Sequence, residues 1–296
     1  MEDDFSSTLQ AAHDYLQELQ LPEGKPTPVD HLLRQEKLLV QSLATRESLE
    51  QARDILGLDI NVLIQALPKI HGMYPEGTDV VFVNLNSLPE RQRFVKLHEL
   101  AHKVLPWQIF SHLETDDVLR GETRENFEIE ANMFAAELLF QGARFQNQAL
   151  LEPLDIRSAL KLAQRFGASA QASLQRYVHT HEAPCALVVL NEERTSTVRG
   201  PAHTVRQVIT SQAFPECTPW WKPGDLLPSE HPLIRHFKRS ALTANIPEYI
   251  TFDTPSGICR CNLQMFRNSY RMMVFLAPQR AQPRRQNSTR SQVQRL

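Results

Sequence analysis

The sequence predicts an α+β fold, and three observations carry that expectation. Apolar residues recur at three- and four-residue steps through most of the chain before residue 180, the period of packed amphipathic helices. One short β-rich run, Asp79 to Leu85, interrupts them and turns directly into a helix at Pro89. From residue 184 onward the pattern changes to strand-like runs separated by turn residues, as in a small α+β domain.

Composition bounds what such a chain can do. Its 296 residues suffice for two domains or one elaborate one, and 42% hydrophobic with 22% charged residues is ordinary for a globular protein. Lys plus Arg number 32 against 34 acids, so a net charge of −2 gives no reason to expect nucleic-acid or membrane binding from charge alone. No stretch approaches the roughly 18 apolar residues of a membrane span. The start, Met1-Glu2-Asp3-Asp4, lacks the basic residues and apolar run of a signal peptide, so a cytoplasmic protein is expected.

Residues 1–68 read as a helical cap. Leu9, Ala12, Leu16 and Leu19 mark a first helix, and Leu32, Leu33, Leu38, Leu39 and Leu43 a second. Leu49, Ala52, Ile55 and Leu56 mark a third, stopped by Gly57. No catalytic chemistry is visible here. The next segment, 69–150, opens with the strand at 79–85. If it lies at a sheet edge, an extended peptide can add beside it as a further strand; a plain interior strand is the alternative.

The helix that follows carries the chemistry. Pro89 and Glu90 suit a helix start and Pro106 ends it, while Phe94, Leu97, Leu100, Ala101, Val104 and Leu105 form one apolar face. Within it lies His98-Glu99-Leu100-Ala101-His102. Histidines four apart share a helix face, so both imidazoles can reach one ion. Glu99 is placed to poise a water on that ion as general base, the arrangement of zinc peptidases. A surface helix with two solvated histidines is the bland alternative.

A catalytic zinc wants a third protein ligand and one open position. Residues 125–139 read as a helix with apolar face Phe127, Ala131, Phe134, Ala135 and Leu138. On a helical wheel Glu130 falls towards that face and Glu128 falls with Arg124 and Asn132 on the polar side. An inward carboxylate needs a positive partner, so the wheel favours Glu130 over Glu128 as third ligand. Two imidazoles and a carboxylate suit Zn2+, with Mn2+ or Fe2+ also compatible.

The ordered run Val80-Val81-Phe82-Val83-Asn84, Leu88 to Phe94, His98-Glu99-x-x-His102 and Glu130-Ala131-Asn132-x-Phe134-Ala135-Ala136-Glu137-Leu138-Leu139 resembles the ImmA/IrrE family of zinc metallopeptidases. The resemblance spans residues 70 to 145. It implies a small gluzincin-like domain with His98, His102 and Glu130 as ligands and Glu99 as base. It also implies a substrate class: bacterial helix-turn-helix repressors, cut at a specific site to release stress-response, DNA-damage or mobile-element genes.

Residues 107–124 are mixed and polar. His112, Arg120 and Arg124 are candidates for stabilising an oxyanion, and the sequence does not choose among them. Residues 151–182 read as two short helices joined at Gly167-Ala168-Ser169, the outline of a helix-turn-helix. Lys161, Arg165 and Arg176 give it a thin positive charge for reading DNA. A packed helical hairpin is the alternative.

Residues 183–278 form the α+β C-terminal domain. Strands are expected at Ala186–Leu190, Tyr249–Phe252, Ile258–Leu263 and Tyr270–Leu276, with a turn at Asn191-Glu192-Glu193. The resemblance implies a GAF-like, sensor-like domain at this end in some members, though no motif residue here matches one. Trp220 and Trp221 suit core filling or a ligand patch. The four cysteines Cys185, Cys217, Cys259 and Cys261 lack a C-x-x-C pair, so half-buried thiols are expected rather than a structural zinc. Residues 279–296, with five arginines and no acid, read as a disordered basic tail.

The function expected from these readings is zinc-dependent endoproteolysis of a protein substrate. Two other classes compete with it: a DNA-binding transcription regulator whose metal site is structural or vestigial, and a general housekeeping peptidase.

Overall fold

The computed structural model describes residues 5–279 apart from 23, 44–45, 57–70, 76, 111–119, 198–199, 219, 236, 238–241, 245 and 247–248. The chain divides into two compact units, Met1–Glu182 and Ala183–Leu296. Together they realise the expected α+β class.

The first unit is built on helices. Helix α1 (Ser6–Glu18) and helix α2 (Val29–Gln35) precede strand β1 (Leu39–Ser42), and helix α3 (Arg46–Leu56) follows it. Strands β2 (Gly72–Met73) and β3 (Val80–Val83) lead into the long helix α4 (Pro89–Val104). Helices α5 (Pro106–Phe110), α6 (Arg120–Phe140), α7 (Ala143–Leu151), α8 (Ile156–Phe166) and α9 (Ala170–Thr180) complete it.

The second expected helix is corrected at its C-terminal half. It stops at Gln35, Lys37 takes a left-handed φ of 58°, and Leu39–Ser42 pairs parallel with Val80–Val83. A run of Leu and Val fits either a buried helix or a strand, and the partner strand decides it. That pairing also settles the β3 alternatives. β3 lies between β1 and β2 in a three-stranded sheet, so it is an interior strand and not the edge for a peptide. Among the described residues the edge beside α4 is β2.

The helical cap is tied to the helices it covers by specific bonds. Tyr15 packs edge-on against Phe134. Thr27 Oγ1 donates to the Leu138 carbonyl at 2.6 Å, Arg93 Nη2 donates to the Thr27 carbonyl at 2.7 Å, and Gln141 Nε2 donates to the Lys25 carbonyl at 2.7 Å. Buried polar groups with partners fix register without the cost of unpaired ones.

Helices α8 and α9 are the two short helices expected over 151–182, joined at Gly167-Ala168-Ser169. Asp155 and Ser169 cap their N-termini through their side chains, and Gly167 at φ 64° closes α8. The buried face is Ile156, Ala159, Leu162, Ala163 and Phe166 from α8 with Leu174, Tyr177 and Val178 from α9. Two of its cations have acidic partners. Arg176 Nη1 lies 2.6 Å from Glu137 Oε1, with that carboxylate buried, and Lys161 Nζ lies 3.3 Å from Glu152 Oε2. Replacing Arg176 by Leu takes the close partner from the Glu137 charge and leaves it the half-exposed His13 ring at 3.5 Å. We expect a loss of about 3 kcal/mol in denaturant unfolding of this unit, mostly recovered when Glu137 is also made Leu. An unchanged midpoint would show the pair to be energetically idle.

The second unit is an antiparallel sheet. Its strands are β4 (Ala186–Thr197), β5 (Gly200–Thr210), β6 (Leu226–Pro228), β7 (Leu242–Thr243), β8 (Tyr249–Thr254), β9 (Gly257–Arg267) and β10 (Arg271–Pro278), with one helical turn, α10 (Pro232–Arg235). The order is β6-β5-β4-β10-β9-β7, with β8 also on β9. The turn expected at Asn191-Glu192-Glu193 is instead a register shift within β4, between Leu190 and Arg194. A bulge keeps polar residues in a strand without breaking it. Trp220 and Trp221 stack with Phe214 and Phe252 on the core of this sheet, which is the core-filling alternative. Cys259 and Cys261 face one side with sulfurs 3.9 Å apart, and burial pushes the Cys261 thiol well above its ordinary range. Among the described residues no helix is long and apolar enough to cross a membrane. The expected tail at 279–296 lies, from residue 280 on, outside the described residues.

Candidate metal centre

The centre is assembled by three consecutive devices. Pro89 starts α4 where a missing N–H costs nothing, and Leu105 leaves the helix in an extended conformation before Pro106. Val95, Leu97, Leu100 and Ala101 bury one face of α4. The four-residue step then carries His98 and His102 onto the side where α4 packs against α6.

There the two rings meet edge to face with centroids 4.9 Å apart and Nε2 atoms 3.2 Å apart. Glu128, on α6, brings Oε2 to 3.2 Å from His98 Nε2 and Oε1 to 4.0 Å from His102 Nε2. Donors about 2.1 Å from a tetrahedral ion lie about 3.4 Å from one another. Donor atoms from His98, His102 and Glu128 all lie within 4.8 Å of one another, so the set fits a divalent cation.

The rings are held from behind. His98 Nδ1 lies 3.2 Å from Asn132 Oδ1 and His102 Nδ1 lies 2.8 Å from Gln108 Oε1. An amide oxygen only accepts, so each Nδ1 is a donor, and in the neutral ring Nε2 keeps its lone pair facing the cluster; His98 Nε2 can donate to Glu128 only when the ring is protonated. Burial pulls the His98 pKa down, but the hydrogen bond to Glu128, the charges of Glu99 and Glu128, and Asn132 together carry it above the ordinary imidazole value. A site that favours positive charge at His98 favours a cation there.

Glu99 is buried beside this cluster, only 6% exposed. Burial pushes its carboxyl up to about 7, against the opposing pull of His98 and a backbone hydrogen bond from Tyr74. Gly72 on β2 makes room for it. A Cβ there would collide with Val95 Cγ1 and sit 2.8 Å from Glu99 Oε1. Gly72→Ala must therefore shift α4 or the Glu99 side chain. We expect a loss of about 1–3 kcal/mol from overpacking, together with a fall in any activity that needs Glu99. Full stability and activity in that variant would show that the contact yields freely.

The structure brings His98, Glu99 and His102 together as the sequence leads one to expect. It differs at the third position. Glu128, placed by the helical wheel on the polar side, is the carboxylate beside the histidines. Glu130 is turned away: its Oε2 accepts from Trp107 Nε1 at 2.8 Å and from Gln108 Nε2 at 2.8 Å. The inward carboxylate did need a positive-ended partner, but indole and amide N–H groups from α5 supply it. Sequence reasoning missed Gln108, for which no motif signals, and Asn132, which stands within the motif run. His112 lies outside the described residues, as do the side chains of Arg120 and Arg124.

Comparison with known proteins adds two findings. The model of the Peptidase_M78 family, IrrE N-terminal-like domain, matches residues 54–177. A solved structure, a Mycobacterium tuberculosis transcriptional regulator, aligns at 16% identity with a TM-score of 0.52 over 92% of this chain and 88% of that one. At that identity the likeness shows a shared fold alone. No curated protein sequence matches this chain.

Proposed function

From the match of residues 54–177 to the IrrE N-terminal-like peptidase model and the geometry of the centre, we propose that this chain is a metal-dependent endopeptidase of the ImmA/IrrE type that cuts a helix-turn-helix repressor at a specific site. The observation that carries the hydrolase reading is the convergence of His98, His102 and Glu128 next to a buried Glu99. A bound divalent cation, zinc by donor set, supplies Lewis acidity and a water of lowered pKa. His98, His102 and Glu128 hold it, and Asn132 and Gln108 keep the two rings in the right tautomer. Glu99 takes the proton from the attacking water and delivers it to the leaving amine. A peptide adding in extended form beside Gly72–Met73 runs past Glu99, since a Cβ on Gly72 would sit 2.8 Å from Glu99 Oε1 and the Tyr74 backbone hydrogen-bonds that carboxylate.

The repressor substrate, and with it a cytoplasmic stress or mobile-element response, is the family expectation carried to this chain. The test is direct. Elemental analysis should find about one zinc per chain. The protein should then make a single cut in a helix-turn-helix repressor encoded beside its gene, and removal of metal by a chelator should stop it. Broad digestion of unfolded casein would instead mark a housekeeping peptidase.

The α8–α9 hairpin supports a second reading, a DNA-binding regulator. Two of its cations are already engaged, Arg176 by Glu137 and Lys161 by Glu152. Specific retention of promoter DNA by metal-free protein at moderate salt would favour this reading over proteolysis.

A further inference from the structure

We propose that Glu130 is a positioning residue that sets, through Gln108, which ring nitrogen of His102 carries its proton. The inference rests on the metal-centre reading but can be tested without a metal.

An ionised carboxylate only accepts, and an indole N–H only donates. Glu130 Oε2 receives Trp107 Nε1 and Gln108 Nε2, each at 2.8 Å. Gln108 Nε2 also lies 3.3 Å from the Phe127 carbonyl, a second acceptor. Both acceptors demand the amide nitrogen, so the Gln108 amide has one orientation and its Oε1 must face the other way. There it meets His102 Nδ1 at 2.8 Å. An amide oxygen cannot donate, so His102 Nδ1 carries the hydrogen and Nε2 does not. Gln108 is 3% exposed, which makes the reversed amide costly: it would aim a buried amide oxygen at a carboxylate.

Polarity is thus passed from a carboxylate on α6, through an amide on α5, to an imidazole on α4. Trp107 keeps the carboxylate in place by donating to the same oxygen. His98 has a shorter version, a single amide oxygen from Asn132 at 3.2 Å. This explains why Glu130 points inward without reaching the histidines.

The test uses the full chain and three variants, Glu130→Ala, Glu130→Gln and Gln108→Leu. In metal-free protein, nitrogen NMR of labelled imidazoles should show His102 as the Nδ1–H tautomer. Glu130→Ala should shift that population towards Nε2–H, while Glu130→Gln, whose amide oxygen can still accept from Trp107 and Gln108, should retain most of it. Zinc affinity by chelator competition should fall about 10–100-fold in Glu130→Ala and recover substantially in Glu130→Gln. Glu130→Ala combined with Gln108→Leu should be no worse than Gln108→Leu alone, because the first residue acts only through the second.

An unmoved tautomer in Glu130→Ala, or full additivity of the two losses, would overturn the proposal. Loss of zinc in Glu130→Ala without a tautomer change would make Glu130 a ligand instead. If the wild type takes up no zinc, the peptidase reading fails, and the tautomer measurement alone still decides this inference.

Discussion

Glu99→Gln is expected to keep the metal and lose cleavage. The substitution preserves the side chain's length and shape, which matters because Glu99 is buried, only 6% exposed. It removes no ligand, since His98, His102 and Glu128 are untouched. What it removes is a proton acceptor. Burial pushes the Glu99 carboxyl up to about 7, partly offset by His98, so this carboxylate is a stronger base than an exposed one. An amide has no comparable basicity. General acid–base catalysis contributes about 10²–10⁴-fold, so kcat should fall by about that factor, equivalent to about 3–5 kcal/mol of barrier. The readout is paired: zinc per chain by elemental analysis, and the rate of appearance of the repressor fragment. Unchanged zinc with a lost fragment assigns the base. Retained cleavage would remove Glu99 from that role. Joint loss of zinc and cleavage would mean that Glu99 supports the ligands rather than the water.

The sequence exposed α4 and its motif because every local signal there agrees: Pro89 at the start, a continuous apolar face, Pro106 at the end. It exposed the direction of Glu130 for the same reason, a regular wheel on α6. It could not expose what Glu130 meets. That depends on Trp107 and Gln108, which sit on a five-residue helix whose placement follows from the break at Pro106. The misread β1 has a similar origin. Leu38-Leu39-Val40 is apolar enough for either state, and pairing with Val80–Val83, a contact some 40 residues away in sequence, selects the strand. In the second unit the strands were legible as short apolar runs, Ala186–Leu190 and Met272–Leu276, that are buried on both faces. At Asn191-Glu192-Glu193 three polar residues imitate a turn, and only the partner strands β5 and β10 carry β4 through it. The charge on α9 was legible in sign but not in use, because Glu137 lies on another helix.

Metal content should fall further in Glu128→Ala than in Glu130→Ala. Three donor distances support this order: 3.2 Å between the imidazole nitrogens, 3.2 Å from Glu128 to His98 and 4.0 Å from Glu128 to His102. The first two are close to the donor spacing of a tetrahedral site, and the exposed Glu128 side chain can close the third by a rotamer adjustment. Removing Glu128 takes away a ligand and the only negative charge among the three donor groups. Of the three donor groups that would hold an ion, only the two imidazoles would remain. Removing Glu130 leaves all three donors and loosens one ring, a loss of about 10–100-fold. Glu128→Ala should therefore exceed that range and yield protein with little or no zinc after ordinary dialysis. Glu128→Gln separates the two contributions, because it keeps an oxygen donor and drops the charge. An intermediate affinity is expected for it. The reverse order, with Glu130→Ala emptier than Glu128→Ala, would return the third position to Glu130. It would also require the Trp107 and Gln108 bonds to open when the ion binds. Since those bonds hold His102 through Gln108, such opening would have to show as a change at the His102 Nδ1 proton, and so the two alternatives cannot be mistaken for one another.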